Sequence, residues 1–447
     1  MASSDITPKF KMINEDFVLS NDIWNERERE PIDYQLNDLY MVRFNLLKDR
    51  IHSSAKKQYG EDIKFSDYFD LEDENSGLLC GVLQLKLKER KSIITNIEVD
   101  DEALLTYEDN GFEEEIKKSD KDCLNLVTDD YIVKLSNIDI YNNSHGAVVG
   151  IYGHKLDNGN SFFVENIIYP EPALQQERLE AKEETYMCFI SDLKFSHGKT
   201  SERECYLNFL STCFQEGGTN LPEDIKNIFK GIERIVIAGG TFDDSDFYKR
   251  SYNILDLKDP LITHKQLVEA DKYFKSLTNC APVLVMPGIC DIGTGSWPIQ
   301  VPYRGAYTIC SKLEKDFFLT TNPTFFETNG TTYLGMSGDS VTDILRIRDN
   351  KSSLDVMEQL LRYQHLAPTS PDHMSIFVSK SDDFMVLKKT PHVFFVGGQS
   401  HFDKKTIRLG DYDVLLLSLP SFSTTNTITF VNTKTLEAIP FTFNLCI

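Results

Sequence analysis

Four apolar runs in this chain end in short loops whose residues could carry chemistry. Val283-Leu284-Val285-Met286 stops at Pro287-Gly288 and delivers Ile289, Cys290 and Asp291. Tyr186 to Phe195 leads to a polar loop and carries Asp192, Leu193 and Lys194; Ile235 to Ala238 ends in Gly239-Gly240; Phe394-Phe395-Val396 ends in Gly397-Gly398-Gln399-Ser400. Open α/β sheets bind their ligands at the carboxyl ends of strands, so these four loops are where a site would assemble. Ligands scattered over strand ends suit two-metal hydrolysis, in which carboxylates, imidazoles and an amide hold two cations and turn a bound water into a nucleophile. The residues at hand suit it poorly. Asp192 offers a carboxylate, but Lys194 offers a cation, Gly240 and Gly398 offer no side chain, Ile289 has no lone pair, and Cys290 is a soft thiol matched to a different class of metal.

Weaker signals do not rescue a catalytic centre. Cys290 has no histidine near it in sequence, and a buried thiol is the usual state of such a residue. Asp243, Asp244 and Asp246 follow the Gly239-Gly240 turn, where acidic residues ordinarily cap the next helix. His401 stands alone on a loop. Gly335-Met336-Ser337-Gly338-Asp339 lacks the final glycine of a nucleophile elbow. Gly239-Gly240 and Gly293-Thr294-Gly295 match neither a phosphate loop nor a dinucleotide fingerprint.

The elements that must position these loops alternate strand and helix. Helical spacing over Glu202 to Phe214 and His264 to Leu277 separates apolar strands at 186–195, 232–238 and 283–286, which predicts an α/β domain with a sheet covered on its faces. The last third is strand-rich, at 331–336, 375–378, 392–396, 413–419, 428–431 and 439–443, and predicts a second sheet packed on the first. Upstream, the spacing of Leu36, Leu39, Tyr40, Leu47 and Ile51 predicts one amphipathic helix from about Asp33 to Tyr59, ending at Gly60. Short strands follow at 78–88, 92–99, 131–135, 147–153 and 162–169, the last two joined by the turn Asp157-Asn158-Gly159-Asn160. Five such strands, interrupted by an acidic insertion at 100–122, predict a small barrel of the OB type. The expected division is a polar leader over 1–33, a helix plus barrel over 34–175, and the α/β domain over 176–447.

With 447 residues the chain exceeds one ordinary core. Its formal net charge of −22 argues against a protein that grips a nucleic-acid backbone by itself, since that affinity comes from Lys and Arg. For the same reason the aromatic pair Phe162-Phe163 is expected to pack the barrel rather than stack bases. Nine cysteines, an odd number with no C-x-x-C pair, predict reduced intracellular thiols rather than a disulfide frame or zinc knot. Neither a secretory signal pattern at Met1 to Asp5 nor an apolar run of membrane-spanning length is evident, so cytoplasm or nucleus is expected.

The order of these loops resembles the calcineurin-like metallophosphoesterases, with most of the ligands missing. There the first loop reads Asp-x-His where this chain has Asp192-Leu193-Lys194, and the second carries a bridging Asp where this chain has Gly240. The third carries Gly-Asn-His where this chain has Gly288-Ile289-Cys290, and the last carries Gly-His-x-His where this chain has Gly397-Gly398-Gln399-Ser400. An emptied scaffold of this kind behind an OB-like barrel resembles the small B subunits of replicative DNA polymerases, and most closely those of polymerase delta. Trp297-Pro298-Ile299-Gln300-Val301-Pro302, Leu334-Gly335-Met336-Ser337-Gly338, Pro391-His392-Val393 and above all Arg362-Tyr363-Gln364-His365-Leu366-Ala367-Pro368-Thr369-Ser370-Pro371-Asp372 carry the resemblance.

The resemblance implies an α/β two-sheet phosphoesterase sandwich preceded by an all-β OB barrel, with an inactive site at Asp192, Lys194, Gly240, Ile289, Cys290, Gly398 and Ser400, and no metal or cofactor. It implies a nuclear, noncatalytic scaffold of the polymerase delta holoenzyme, active in replication and repair. Its partners would be the catalytic subunit, through that subunit's carboxyl-terminal Cys-rich metal-binding module, and a third accessory subunit that links it to the sliding clamp. Little direct contact with nucleic acid and none with membrane is implied. The alternatives are an active metal-dependent phosphodiesterase or exonuclease, a single-strand binder using the barrel, and the small subunit of polymerase alpha or epsilon.

Overall fold

The computed structural model describes residues 17–19, 38–72, 75–88, 118–156, 161–179, 181–195, 201–219, 221–243, 262–348 and 352–444. In chain order its strands are β1 (Val18–Leu19), β2 (Gly77–Lys86), β3 (Cys123–Val127), β4 (Ile132–Ser136), β5 (Val148–Lys155), β6 (Ser161–Ile168), β7 (Tyr186–Ile190), β8 (Ile232–Ala238), β9 (Val283–Met286) and β10 (Phe317–Leu319). They continue with β11 (Thr324–Thr328), β12 (Thr331–Met336), β13 (Val393–Gln399), β14 (Asp403–Leu409), β15 (Tyr412–Pro420), β16 (Thr427–Asn432) and β17 (Ala438–Thr442). The longer helices are α1 (Asp38–Tyr59), α2 (Ser201–Gln215), α3 (Glu223–Lys230), α4 (His264–Leu277), α5 (Asp339–Leu345) and α6 (Ser353–Tyr363).

Two compact units emerge, and neither is continuous. One comprises Met1–Arg29, Leu174–Asp339 and Lys389–Ile447; the other comprises Glu30–Ala173 and Ser340–Lys388. The expected linear division at 33/34 and 175/176 therefore differs from the units the chain forms, because residues 340–388 pack with the barrel.

In the barrel unit β2, β3, β4, β6 and β5 close in that order, antiparallel except for the β4–β6 pair. Alternate side chains fill it: Leu79 and Leu83, Leu124 and Leu126, Val133 and Leu135, Val149 and Ile151, Phe162 and Val164. Of the aromatic pair expected to pack the barrel, Phe162 is a core residue, whereas Phe163 alternates outward and stacks on His154 at 5.1 Å. Four of the five expected strands coincide with barrel strands, whereas 92–99 and 100–117 lie outside the described residues. The fifth strand is instead Cys123–Val127, a five-residue segment directly after the acidic interval. Helix α1 buries Leu39, Arg43, Leu47, Ile51 and Ala55, one residue every four, and packs on Leu78, Cys80, Val148 and Ile168. Gly60, at φ +100°, ends it as expected.

One member of that stripe is charged. The Arg43 guanidinium is fully buried and donates from Nε to Asp383 Oδ2 at 2.7 Å, from Nη1 to the carbonyls of Gly146 and Pro368 at 2.8 Å each, and from Nη2 to Ser370 O at 2.9 Å. Asp383 also faces His365 Nε2 at 3.0 Å and accepts from the Met385 amide. Burial pushes the Asp383 carboxyl up, but His365 and Arg43 outweigh it and hold the group well below the usual carboxylate range. His365 stays neutral, since burial and the Arg43 charge bring its imidazole down to about 4.

The other unit holds two six-stranded sheets, ordered β1-β11-β12-β13-β15-β14 and β10-β9-β8-β7-β16-β17. In the second sheet β10, β9, β8 and β7 run parallel, as buried apolar strands joined through helices should. Met187 and Phe189 of β7, with Val236, Ala238, Leu284 and Met286, face Phe326, Tyr333, Phe395 and Leu417 of the first sheet. Cys188 and Ile190 point the other way, toward Leu210 and Phe214 of α2, Phe229 of α3 and Phe274 of α4. Residues 428–431 and 439–443 were expected in the strand-rich second sheet; β16 instead joins the parallel sheet antiparallel to β7, and β17 follows antiparallel to β16 at its edge. Residues 375–378 form no strand. The leader also departs from a fully solvated one: Val18–Leu19 pairs with β11, and the Phe17 ring lies 3.5 Å from the Arg234 guanidinium and 5.7 Å from Phe318. Among the described residues no helix is long and apolar enough to cross a membrane.

Removing the buried arginine leaves Asp383 without its strongest partner, so Arg43→Ala should destabilise the barrel unit by about 3–5 kcal/mol. Loss of hydrogen-exchange protection in α1 and the barrel strands would register it. The His365 imidazole has its ordinary value of about 6.5 in the unfolded chain, which therefore takes up the proton first as pH falls. Stability should decline from about pH 6.5 to about pH 4, by roughly 3 kcal/mol in all, and His365→Gln should flatten that slope in denaturant titrations at stepped pH.

Candidate functional site

The loops after β7, β8, β9, β12, β13 and β15 meet at one end of the two-sheet unit. Backbone bonds hold them together: the Asp192 amide donates to Gly239 O at 3.0 Å, Lys194 N to Gly240 O at 2.9 Å, Gly239 N to Met286 O at 3.1 Å and Ser423 N to Asp192 O at 3.1 Å. Ser191 Oγ accepts from Gly398 N at 2.6 Å. Asn322, fully buried, donates from Nδ2 to Pro287 O at 2.8 Å and to Ser337 Oγ.

Asp291 clasps two of these loops, a role its residue type alone does not announce. Its Oδ2 accepts from Gly288 N at 2.7 Å and Thr241 N at 3.1 Å, and its Oδ1 from Phe242 N at 2.9 Å. One carboxylate thereby ties the loop after β9 to the loop after β8. Burial pushes the group up to about 6, with the Asp192 charge adding to it, while the three amide donors pull the other way. The sequence signal for such a role is the short Gly-x-x-Asp turn itself, in which a carboxylate can bond back to the backbone three residues earlier.

Asp192 and Lys194 both sit at positive φ, +56° and +47°, so the loop curls tightly and sets Lys194 Nζ 3.9 Å from Asp192 Oδ2. Arg203 of α2 donates to the carbonyls of Leu193 and Lys194. Gly240, at φ +68°, lies against the Asp192 carboxylate: a Cβ there would come within 1.9 Å of Asp192 Oδ1 and 2.9 Å of its Cα. Gly398 is more open, since a Cβ there would meet Ser337 O at 3.1 Å and Asp192 Oδ2 only at 3.7 Å.

Asp192, Lys194, Gly240 and Gly398 are therefore brought together, with Gly288 beside Gly240. Ile289 and Cys290 occupy the half-buried turn between Gly288 and Asp291. Ser400 lies on the exposed rim, its Oγ 2.9 Å from His401 Nδ1. Asp243 is tied by its amide to Phe195 O, while Asp244 and Asp246 lie outside the described residues. His365 belongs to the other unit.

The donor set does not fit a dinuclear metal centre. Gly240 supplies no bridging ligand, Asp192 already faces an ammonium, and among the described residues no group of three or more His, Cys, Asp or Glu side chains could hold a metal ion. Gly240→Ala should cost more than the roughly 1 kcal/mol expected of alanine at positive φ, whereas Gly398→Ala should stay near that figure. The excess at Gly240 should shrink in an Asp192→Gly background, as a double-mutant cycle of thermal unfolding would register.

Two family models match the chain. One described as DNA polymerase delta subunit OB-fold domain covers residues 35–167, and one describing the B subunit of DNA polymerase alpha/epsilon covers residues 187–404. The barrel is accordingly an OB fold. A probable DNA polymerase delta small subunit of Caenorhabditis elegans is 27% identical over 90% of this chain and 91% of its own length. The DNA polymerase delta small subunit of Saccharomyces cerevisiae is 25% identical over 94% and 93%. That of Arabidopsis thaliana is 28% identical over 67% of each chain. Matched by these models in both its barrel and its two-sheet unit, and by these relatives along most of its length, the chain belongs to the family of DNA polymerase delta small subunits.

Proposed function

We propose that this protein is a noncatalytic scaffold subunit of a nuclear DNA polymerase delta holoenzyme. Its two-sheet unit is then a calcineurin-like phosphoesterase sandwich whose metal site has been given up. The observation that carries this reading is the Gly240–Asp192–Lys194 arrangement, with no bridging ligand and an internal ammonium 3.9 Å from the remaining carboxylate. The likeness in sequence to delta small subunits over nearly the whole chain supports the assignment to that complex. The inactive positions are Asp192, Lys194, Gly240, Ile289, Cys290, Gly398 and Ser400. On this reading their loops keep the fold, and the outer surfaces bind the carboxyl-terminal Cys-rich module of the catalytic subunit and a further accessory subunit. The match to the alpha/epsilon family model favours those complexes as a second reading, and the delta-specific barrel match weighs against it.

Elemental analysis of the purified chain after incubation with manganese, together with a phosphodiester-cleavage assay, tests the scaffold reading. Less than a tenth of an ion per chain and no cleavage are expected. About two ions per chain, with cleavage abolished by Asp192→Ala, would establish a nuclease instead. Co-expression with the carboxyl-terminal modules of the delta, alpha and epsilon catalytic subunits should give a stable complex with the first alone.

A further inference from the structure

Among the described residues the two six-stranded sheets have four edges, and three of them are blunted. β1 spans two residues and β10 three, and β17 carries Pro440, which has no amide to offer a further strand. The fourth edge is different. β14 pairs with β15 over seven residues in unbroken register, from Asp403↔Ser418 to Leu409↔Tyr412, without a proline, and among the described residues β15 is its one neighbour. Asp403 to Thr406 and Arg408 are exposed.

The hairpin fixes which backbone groups face outward. Leu409 and Tyr412 close a two-residue turn of Gly410, at φ +59°, and Asp411. The closing pair of such a turn exchanges ladder bonds, so Ile407 and Lys405 also bond to β15, while the amides and carbonyls of Arg408, Thr406 and Lys404 turn to the open side. The Lys404 amide accordingly donates to Asp403 Oδ1, at 2.9 Å. Thr406 and Arg408 present main-chain donors and acceptors at the alternate-residue spacing that an added strand bonds to.

Lysines standing over an edge ordinarily guard it. Here the cations on the Thr406 face are drawn back onto the protein: Lys404 Nζ donates to Ala438 O at 2.8 Å, and Arg408 Nη1 lies 3.1 Å from Asp413 Oδ1 of β15. The edge is open, yet its charge stays positive, with Lys404, Lys405 and Arg408 against Asp403 in a chain of net charge −22. A second copy paired antiparallel over all seven residues would set Lys404 opposite Arg408, cation on cation. Thr406 and Arg408 also line a cleft of about 670 Å³ with Tyr412, Asp413, Leu415 and Leu436. Alternate side chains of an added strand would border this cleft. Arg178, Glu177 and Asp411 give the cleft both signs, so the preference in charge comes from β14.

We infer that β14 is extended by a strand from another polypeptide, antiparallel as the more stable of the two pairings, whose main chain bonds to Thr406 and Arg408. Its acidic side chains stand opposite Lys404 and Arg408, and a β-branched one stands opposite Thr406. Metal at the strand ends would leave this edge unchanged, so the scaffold reading and the added strand fail separately.

The test is fluorescence anisotropy on the full chain with labelled Thr-Glu-Thr-Val-Thr-Glu-Thr, its lysine counterpart Thr-Lys-Thr-Val-Thr-Lys-Thr, and the first peptide N-methylated at valine and both glutamates. Hydrogen-exchange mass spectrometry of residues 403–409 accompanies it. The first peptide should bind, slow exchange over those residues, and bind more weakly as salt rises. It should lose at least about tenfold in affinity on N-methylation, on the change to lysine, and against a Lys404→Glu, Arg408→Glu variant. Thr406→Pro removes an amide from the open side and spares the β15 ladder, so it should fold, with unchanged far-ultraviolet circular dichroism, and lose a similar factor. The N-methylated peptide asks the same question of the unaltered protein. No binding of the first peptide up to about 1 mM would overturn the inference, as would equal binding of the N-methylated or the lysine form. Concentration-dependent self-association abolished by Thr406→Pro would make the edge a contact between copies. Preferential binding of a short oligothymidylate, abolished by Lys404→Glu, Arg408→Glu, would make its cations phosphate contacts; either result overturns the assignment.

Discussion

A guanidinium cannot be left unpaired in a protein interior, and in this chain that constraint organises the barrel unit. Arg43 sits in the otherwise apolar stripe of α1 and reaches a carboxylate and three carbonyls contributed by residues 146, 368, 370 and 383. Three of those four partners lie more than 300 residues away in sequence. Satisfying one side chain therefore requires residues 340–388 to pack with the barrel, which is why neither unit is continuous. His365 and Tyr363, in the segment most diagnostic of the family, serve the same packing. The first pairs with Asp383, and the second sets its hydroxyl among the Ser144 amide, Asn143 and Gln359.

The two-sheet unit poses a related problem. Six strand ends converge, and convergent loops need something to fix their spacing. Here the fixing groups are internal: Asp291 collects three amides from two loops, Ser191 one from a third, and Lys194 stands beside Asp192. The packing of Gly240 against Asp192 fits the same picture, because a side chain at that position and the Asp192 carboxylate cannot occupy one volume. A strand-end assembly bound together by its own carboxylates and ammonium is suited to rigidity, and rigidity is what a scaffold asks of it. If the strand ends are structural, the binding surfaces lie elsewhere.

Much of this was legible before any coordinates. Continuous apolar runs located β7, β8 and β9, and apolar periods of two and of about four located α1, α2, α4 and four of the barrel strands, because those periods follow from backbone geometry alone. The residue types at the strand ends displayed a site poor in ligands, since Gly240 and Ile289 cannot donate an electron pair in any fold. The OB fold followed from the run of short strands with one long interruption, and the family from motifs that survive as sequence. Cys123–Val127 was hidden by the acidic interval it adjoins, and so was the placement of β16 and β17, because sheet order depends on which edges remain open after folding. The discontinuity of the units, the role of Asp291 as a clasp and the contact of Asp192 with Gly240 belong to tertiary structure alone. Each depends on a distance between residues far apart in the chain, and no local pattern encodes such a distance.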